Sequence, residues 1–174
     1  MIYTYRFHNR YSTKRSEIRN EHDQVTGYVQ RTYSNPLMKV LDFLLEGIVF
    51  ADYRVTDRAG NLRVEAKQVR TFFKRRQYML HYEQEDGTRT SIPIIDKKRF
   101  GLEEKTGFEL EGRSYELHKP VIDWGTITLQ GTTIAEWKTT LTLPPKAQFR
   151  LADPSHEAHV LLLLGIFHTY LHSK

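Results

Sequence analysis

The chain has 174 residues, 39% of them apolar and 27% charged, a balance that excludes a disordered polymer and suits a single globular domain. It contains no cysteine, which excludes a disulfide framework, a thiolate nucleophile and any cysteine-based zinc or iron–sulfur centre. The net charge of +5 is uneven, because residues 1–76 carry 15 Lys and Arg against 8 Asp and Glu while the remainder carries 11 against 13. A basic first half fits an anionic partner, lipid headgroup or nucleic acid, and equally fits plain solubility.

At the N-terminus Arg6, His8 and Arg10 interrupt the apolar residues, so no signal-peptide core is expected and the expected location is the cytoplasm. Short runs rich in Tyr, Val, Ile, Thr and Phe then alternate with turn signals. Asp23 to Gly27, Asp57 to Asn61, Asp86-Gly87, Glu111-Gly112 and Gln130-Gly131 each offer a glycine for a tight turn. Five such hairpins predict about ten strands. Flanks such as Tyr78-Met-Leu-His-Tyr82 and Thr126-Ile-Thr-Leu-Gln130 interchange apolar and polar residues, so each strand has one buried and one wet face. Between Pro36 and Phe50, Leu37, Met38, Val40, Leu41, Leu44 and Leu45 recur at helical spacing before Gly47. A short helix is expected there, followed by a strand from Ile48 to Thr56.

After Pro144-Pro145 a short strand around Phe149 to Leu151 is expected. Asp153-Pro154 then supplies an N-cap with proline at the first helical position, and the helix should run to about His172. Leu161 to Leu164 alone sweep about 300° of a helical wheel, leaving no polar side. The apolar run Val160 to Phe167 has eight residues against roughly 20 for a membrane span, so this helix should be enclosed by protein. The expected fold is one mostly β domain over residues 1–174: a closed or nearly closed antiparallel barrel around a helix at about residues 154–172.

The phrase Tyr53-Arg-Val-Thr-Asp57-Arg-Ala-Gly60-Asn-Leu-Arg-Val64, leading to Phe72-Phe73 and Gln77-Tyr-Met-Leu80, resembles the tubby C-terminal-like superfamily when combined with the terminal helix Ala158 to Tyr170. That group includes LURP-one-related proteins and phospholipid scramblases. The resemblance covers nearly the whole chain and implies a barrel of about twelve strands around a central helix. Members of the group bind phosphoinositides, act at membranes or have no assigned role, so the resemblance does not imply catalysis. No phosphoinositide-contacting position can be matched residue by residue. The acidic calcium-binding segment, palmitoylated cysteines and proline-rich arm of eukaryotic scramblases have no counterpart, which leaves lipid transfer without support.

Motifs for chemistry are sparse. His156-Glu-Ala-His159 is one residue short of the His-Glu-x-x-His spacing that puts two imidazoles on one zinc. His168 and His172 share a helix face, but two imidazoles make an incomplete site, so polar helix ends near the barrel mouth are expected instead. No Gly-x-Ser-x-Gly elbow and no glycine-rich phosphate loop occurs. Neither catalytic residues, a metal nor a cofactor is therefore expected. Trp124 and Trp137 read as core or rim aromatics rather than base-stacking platforms.

The candidate site is basic. Lys67, Arg70, Lys74, Arg75 and Arg76 follow one hairpin with Phe72 and Phe73 between them, and Lys97, Lys98 and Arg99 precede Phe100 after the next. Cations beside aromatics suit an anionic phospholipid or membrane surface, and serve a nucleic-acid backbone almost as well. The same residues also fit a solvated edge with the phenylalanines in the core. The expected function is a non-enzymatic binding or scaffold domain, peripheral to a membrane, with a nucleic-acid binder or an enzyme of unrecognised site as alternatives.

Overall fold

Each of the five turn signals falls at the junction of two antiparallel strands in the computed structural model. The structure describes residues 1–8, 12–44, 52–69, 77–96, 104–120, 123–140 and 142–171, excepting the side chains of residues 95, 96, 104, 105, 170 and 171. The hairpins are β2 (Ser16–Asn20) with β3 (Val25–Thr32), β4 (Asp52–Asp57) with β5 (Leu62–Val69) and β6 (Gln77–Glu83) with β7 (Arg89–Asp96). They continue with β8 (Glu104–Leu110) and β9 (Arg113–Lys119), then β10 (Gly125–Leu129) and β11 (Thr132–Thr140). Those ten strands were legible from turns. The remaining two, β1 (Ile2–Arg6) and β12 (Lys146–Leu151), pair with each other from Ile2↔Arg150 to Arg6↔Lys146 and close a twelve-stranded antiparallel barrel. In the closed barrel every described strand has a neighbour on both sides, so none forms a wholly open sheet edge.

The first turn differs from the expectation. Asn20 accepts the backbone N–H groups of His22 and Gln24 at 3.0 Å each, and Asp23 takes the left-handed conformation (φ 59°), so the turn closes before Gly27. Gly27 lies inside β3 and meets a different need. A Cβ there would stand 2.5 Å from the Thr56 carbonyl oxygen and 3.2 Å from Leu161.

Alternation along the strands turns Tyr3, Tyr5, Val55, Val64, Leu80, Ile92, Leu117 and Phe149 inward. A bulge in β11 puts the consecutive Ile134 and Ala135 both inside. The Ile134 carbonyl then receives the N–H groups of Ala152 and Asp153 at 2.9 and 3.1 Å, which aims the chain into the barrel. Asp153 caps the next turn as expected, accepting from the Ser155 N–H at 2.9 Å. The turn itself, Pro154–His159, is a 3-10 helix with a kink at His156, and the α-helix α2 starts only at Val160 and runs to Leu171. His156 is the reason: its Nε2 lies 3.1 Å from the Tyr115 hydroxyl, an anchor that a straight α-helix from Pro154 need not meet.

Helix α2 fills the barrel. Leu162, Leu163, Leu164 and Ile166 are completely buried, and Phe167 packs between Trp137 and Phe149 at ring distances of 6.1 and 5.7 Å. Burying one such side chain is worth about 2 kcal/mol. Gly165 brings α2 against β4 and β5, where a Cβ would stand 3.2 Å from both Val55 and Val64.

The expected short helix exists as α1 (Pro36–Leu44), with its N-terminal Met38 N–H bonded to Asn35 Oδ1 at 2.9 Å. Its orientation inverts the usual rule. The buried residue is Asp42, while Leu37, Val40, Phe43 and Leu44 are 55–68% exposed. The strand after it begins at Asp52; residues 45–51, where the expected strand would start, lie outside the described residues. The last strand is longer than expected, six residues rather than three.

A cationic cleft at the seam of the barrel

Closure is uneven at the seam. Strand β1 follows β12 along its whole length but pairs with β2 only through Tyr3↔Asn20 and Thr4↔Arg19. Beyond Thr4 the two strands part, and the Ser16 hydroxyl bridges the gap by donating to the Arg6 carbonyl at 2.8 Å. The segment leading into β2 is held over this opening by the Gln30 side-chain amide, which donates to the Thr13 carbonyl at 3.0 Å.

A cleft of about 570 Å³ results, lined by Arg6, His8, Lys14, Arg15, Arg19 and Lys146 together with Glu17 and Asp23. Arg19 takes both carboxylates, Glu17 at 2.6 Å and Asp23 at 3.2 Å. Arg6, Lys14, Arg15 and Lys146 are left without an ion pair among the described residues, Arg15 lying 3.9 Å above the Tyr28 ring. Elsewhere on the wall the outcome is different. Arg54 meets Glu65 at 2.7 Å, Arg63 meets Asp57 at 2.9 Å, Arg89 meets Glu83 at 2.8 Å, and Arg150 pairs with Glu136. His8 registers the local field: burial first, then the charges of Arg6 and Lys14, hold its imidazole below the ordinary histidine pKa.

Under the cleft a pocket of about 10 Å³, room for one water, is lined by Arg6, His8, Lys14 and Ser16 above and by Arg31 and His168 below. His168 is the polar end of α2, as expected. Its Nδ1 lies 3.1 Å from the Tyr5 hydroxyl, and Tyr53 packs edge-on against its ring at 5.2 Å. Burial raises the pKa of Tyr5 and Tyr53 beyond the normal phenol range, which keeps this floor uncharged at the tyrosines. Arg31 reaches the other way, donating to Asp42 of α1 at 2.6 Å, where the Tyr33 hydroxyl also donates at 2.9 Å. Burial, and then the Asp42 bond against the opposing charge of Arg31, push the Tyr33 phenol up to about 12.

Of the eight cations singled out from sequence, Lys67 is described. It is exposed on β5 with its ammonium 2.9 Å from Glu65, a carboxylate it shares with Arg54. Arg70, Lys74, Arg75, Arg76, Lys97, Lys98 and Arg99 lie outside the described residues, as do Phe72, Phe73, Phe100 and His172. The cleft cations were missed because β1, the segment before β2 and β12 are brought together only by closure. The excess of basic residues in the first 76 was the one available signal.

At the opposite mouth His156 and His159 face separate strands, His159 lying 3.3 Å from the Tyr82 hydroxyl and 3.6 Å from Glu111. Among the described residues no group of three His, Asp or Glu side chains could hold a metal ion. Trp137 is buried, and Trp124 is covered by Lys138 and Arg150 at 4.2 and 4.9 Å. No described helix is long and apolar enough to cross a membrane.

A family model described as Tubby C-terminal like domain matches residues 3–173, a span that takes in all twelve strands and the core helix but for Ile2. The chain belongs to the Tubby C-terminal-like domain family. No match was found among curated proteins or among solved structures. Within this Tubby C-terminal-like domain the seam cleft is the place on the described wall where several cations converge without carboxylates to neutralise them.

Proposed function

We propose that this Tubby C-terminal-like domain is a non-enzymatic binding module that takes the phosphorylated headgroup of an anionic phospholipid in the β1–β2 cleft, at the surface of a membrane. One observation carries the reading: four cations line one concave site whose only two carboxylates are consumed by a fifth. Uncompensated like charges cost folding free energy, so their convergence is best understood through a ligand that neutralises them. A cleft of about 570 Å³ suits one headgroup. A nucleic-acid track would need a longer groove and stacking faces, and both described tryptophans are already occupied. The cytoplasmic face of a membrane, where anionic lipids concentrate, is the proposed location. Arg70, Lys74, Arg75, Arg76, Lys97, Lys98 and Arg99 are proposed as a second set of cations for anionic lipid.

The test is co-sedimentation with phosphatidylserine-containing and neutral vesicles at low and high salt. Each cation near an anionic surface contributes about 1 kcal/mol, so Arg6→Gln/Lys14→Gln/Lys146→Gln should weaken binding about 100-fold. Lys74→Gln/Arg75→Gln/Arg76→Gln measures the second set separately. No binding by the wild type at low salt would overturn the function, and full binding by the first triple variant would overturn the site.

A further inference from the structure

We propose that helix α1 is an interfacial anchor, laying an apolar stripe into the outer acyl region of the same bilayer whose headgroup occupies the cleft. The proposal rests on the lipid reading above and adds a second, hydrophobic point of attachment. At about 100° per residue, Leu37, Leu44, Val40 and Phe43 fall within an arc of about 120°. They are 61%, 68%, 55% and 64% exposed, whereas Leu41 beside the arc and Met38 opposite it are half-buried and Asp42 is fully buried. A helix on a globular surface normally turns its apolar stripe to the core. This one sends its sole carboxylate inward and presents apolar residues outward.

Charge decides which partner fits that face. The only charged residue that α1 exposes is Lys39, at the margin of the stripe, so nothing on the outward face opposes an anionic surface. The helix is also tied to the cleft. Asp42 holds Arg31 at 2.6 Å, and Arg31 lines the small pocket shared with Arg6, His8 and Lys14, so stripe and cations belong to one neighbourhood of the barrel. A second copy of the chain is a poorer occupant. Four side chains of this size offer on the order of 400 Å², about half of what each partner in a stable dimer buries.

Absence of native cysteine makes the test direct, because a single introduced thiol is labelled uniquely. Val40→Cys carrying an environment-sensitive nitrobenzoxadiazole dye should shift to the blue and brighten when phosphatidylserine vesicles are added. Leu37→Ser/Val40→Ser/Leu44→Ser should lose vesicle binding at least about tenfold while keeping the wild-type melting temperature, since its inward face is untouched. It should bind soluble inositol trisphosphate as the wild type does, because the cleft is unaltered. Vesicle binding without a dye shift, or unweakened in the serine variant, overturns the anchor while leaving the cleft in place. Loss of inositol trisphosphate binding by the wild type overturns the cleft instead. Dimerisation that needs no lipid and disappears in the serine variant would also overturn the anchor, assigning the stripe to a second copy.

Discussion

Arg31 and Asp42 form a salt bridge at 2.6 Å with side chains only 3% and 0% exposed, joining helix α1 to the barrel wall beneath the cleft. Two charges withdrawn from water are held by each other, by the Tyr33 hydroxyl and by aromatic rings at 5.4 and 5.9 Å from the guanidinium. Removing one partner strands the other in a low dielectric. Asp42→Ala should therefore cost about 3–5 kcal/mol, and Arg31→Met/Asp42→Leu should recover most of it, as apolar replacements of buried pairs do. Urea melts of the three proteins check this. A single variant no worse than an exposed pair, about 0–1 kcal/mol, would show that α1 is not held this way.

Leu163 is completely buried in the first turn of α2. Leu163→Ala should cost about 3–5 kcal/mol through lost contacts and a residual cavity, and Leu163→Asp should prevent cooperative folding altogether, against a typical total of about 5–15 kcal/mol. Soluble Leu163→Asp with an unchanged melt would contradict a core built on this helix.

The glycines separate by mechanism. At Gly27 a methyl would collide with a backbone oxygen at 2.5 Å, a neighbour that cannot rotate away, so Gly27→Ala should cost about 2 kcal/mol or more. At Gly165 the neighbours are valine methyls at 3.2 Å, and the better helix propensity of alanine offsets part of the crowding by about 1 kcal/mol. Thermal melts should rank Gly27→Ala clearly below Gly165→Ala. The reverse order would mean that β3 and β4 approach less closely than described.

His8 should titrate below the usual histidine pKa of 6.5. Burial is the larger cause, so replacing Arg6 and Lys14 by glutamine should raise its pKa only part of the way. A bound phosphate monoester reverses the local field and should raise it further. Because the bound form then takes up a proton more readily than the free form, affinity should grow as pH falls through the bound-state pKa towards the free one. Proton NMR of the His8 ring with and without inositol trisphosphate reads both values. An unchanged pKa on saturation would place the anion elsewhere.

What could be read from the sequence follows the range over which each feature is specified. Hairpins are local: an aspartate or glutamate beside a glycine at positive φ, as at Glu111-Gly112 (52° and 72°), writes the turn into adjacent letters. The core helix was legible for a similar reason, since four consecutive leucines leave it no wet face. Closure was not, because Ile2 and Arg150 stand at opposite ends of the chain and carry no turn between them. The cleft inherits that blindness. Helix α1 was legible in existence but not in orientation, because apolar spacing alone points inward, and only the buried partner of Asp42 shows which side is held.

Binding of a phosphorylated headgroup in the seam cleft is read out residue by residue in an amide NMR titration of the intact protein with soluble inositol trisphosphate. Chemical-shift changes should concentrate at Arg6, His8, Lys14 to Glu17 and Lys146, saturate in a salt-sensitive manner, and vanish in Arg6→Gln/Lys14→Gln/Lys146→Gln. Changes that leave those residues still and instead gather at residues 67–76 and 97–99, or that spread evenly over all lysines and arginines, would contradict it.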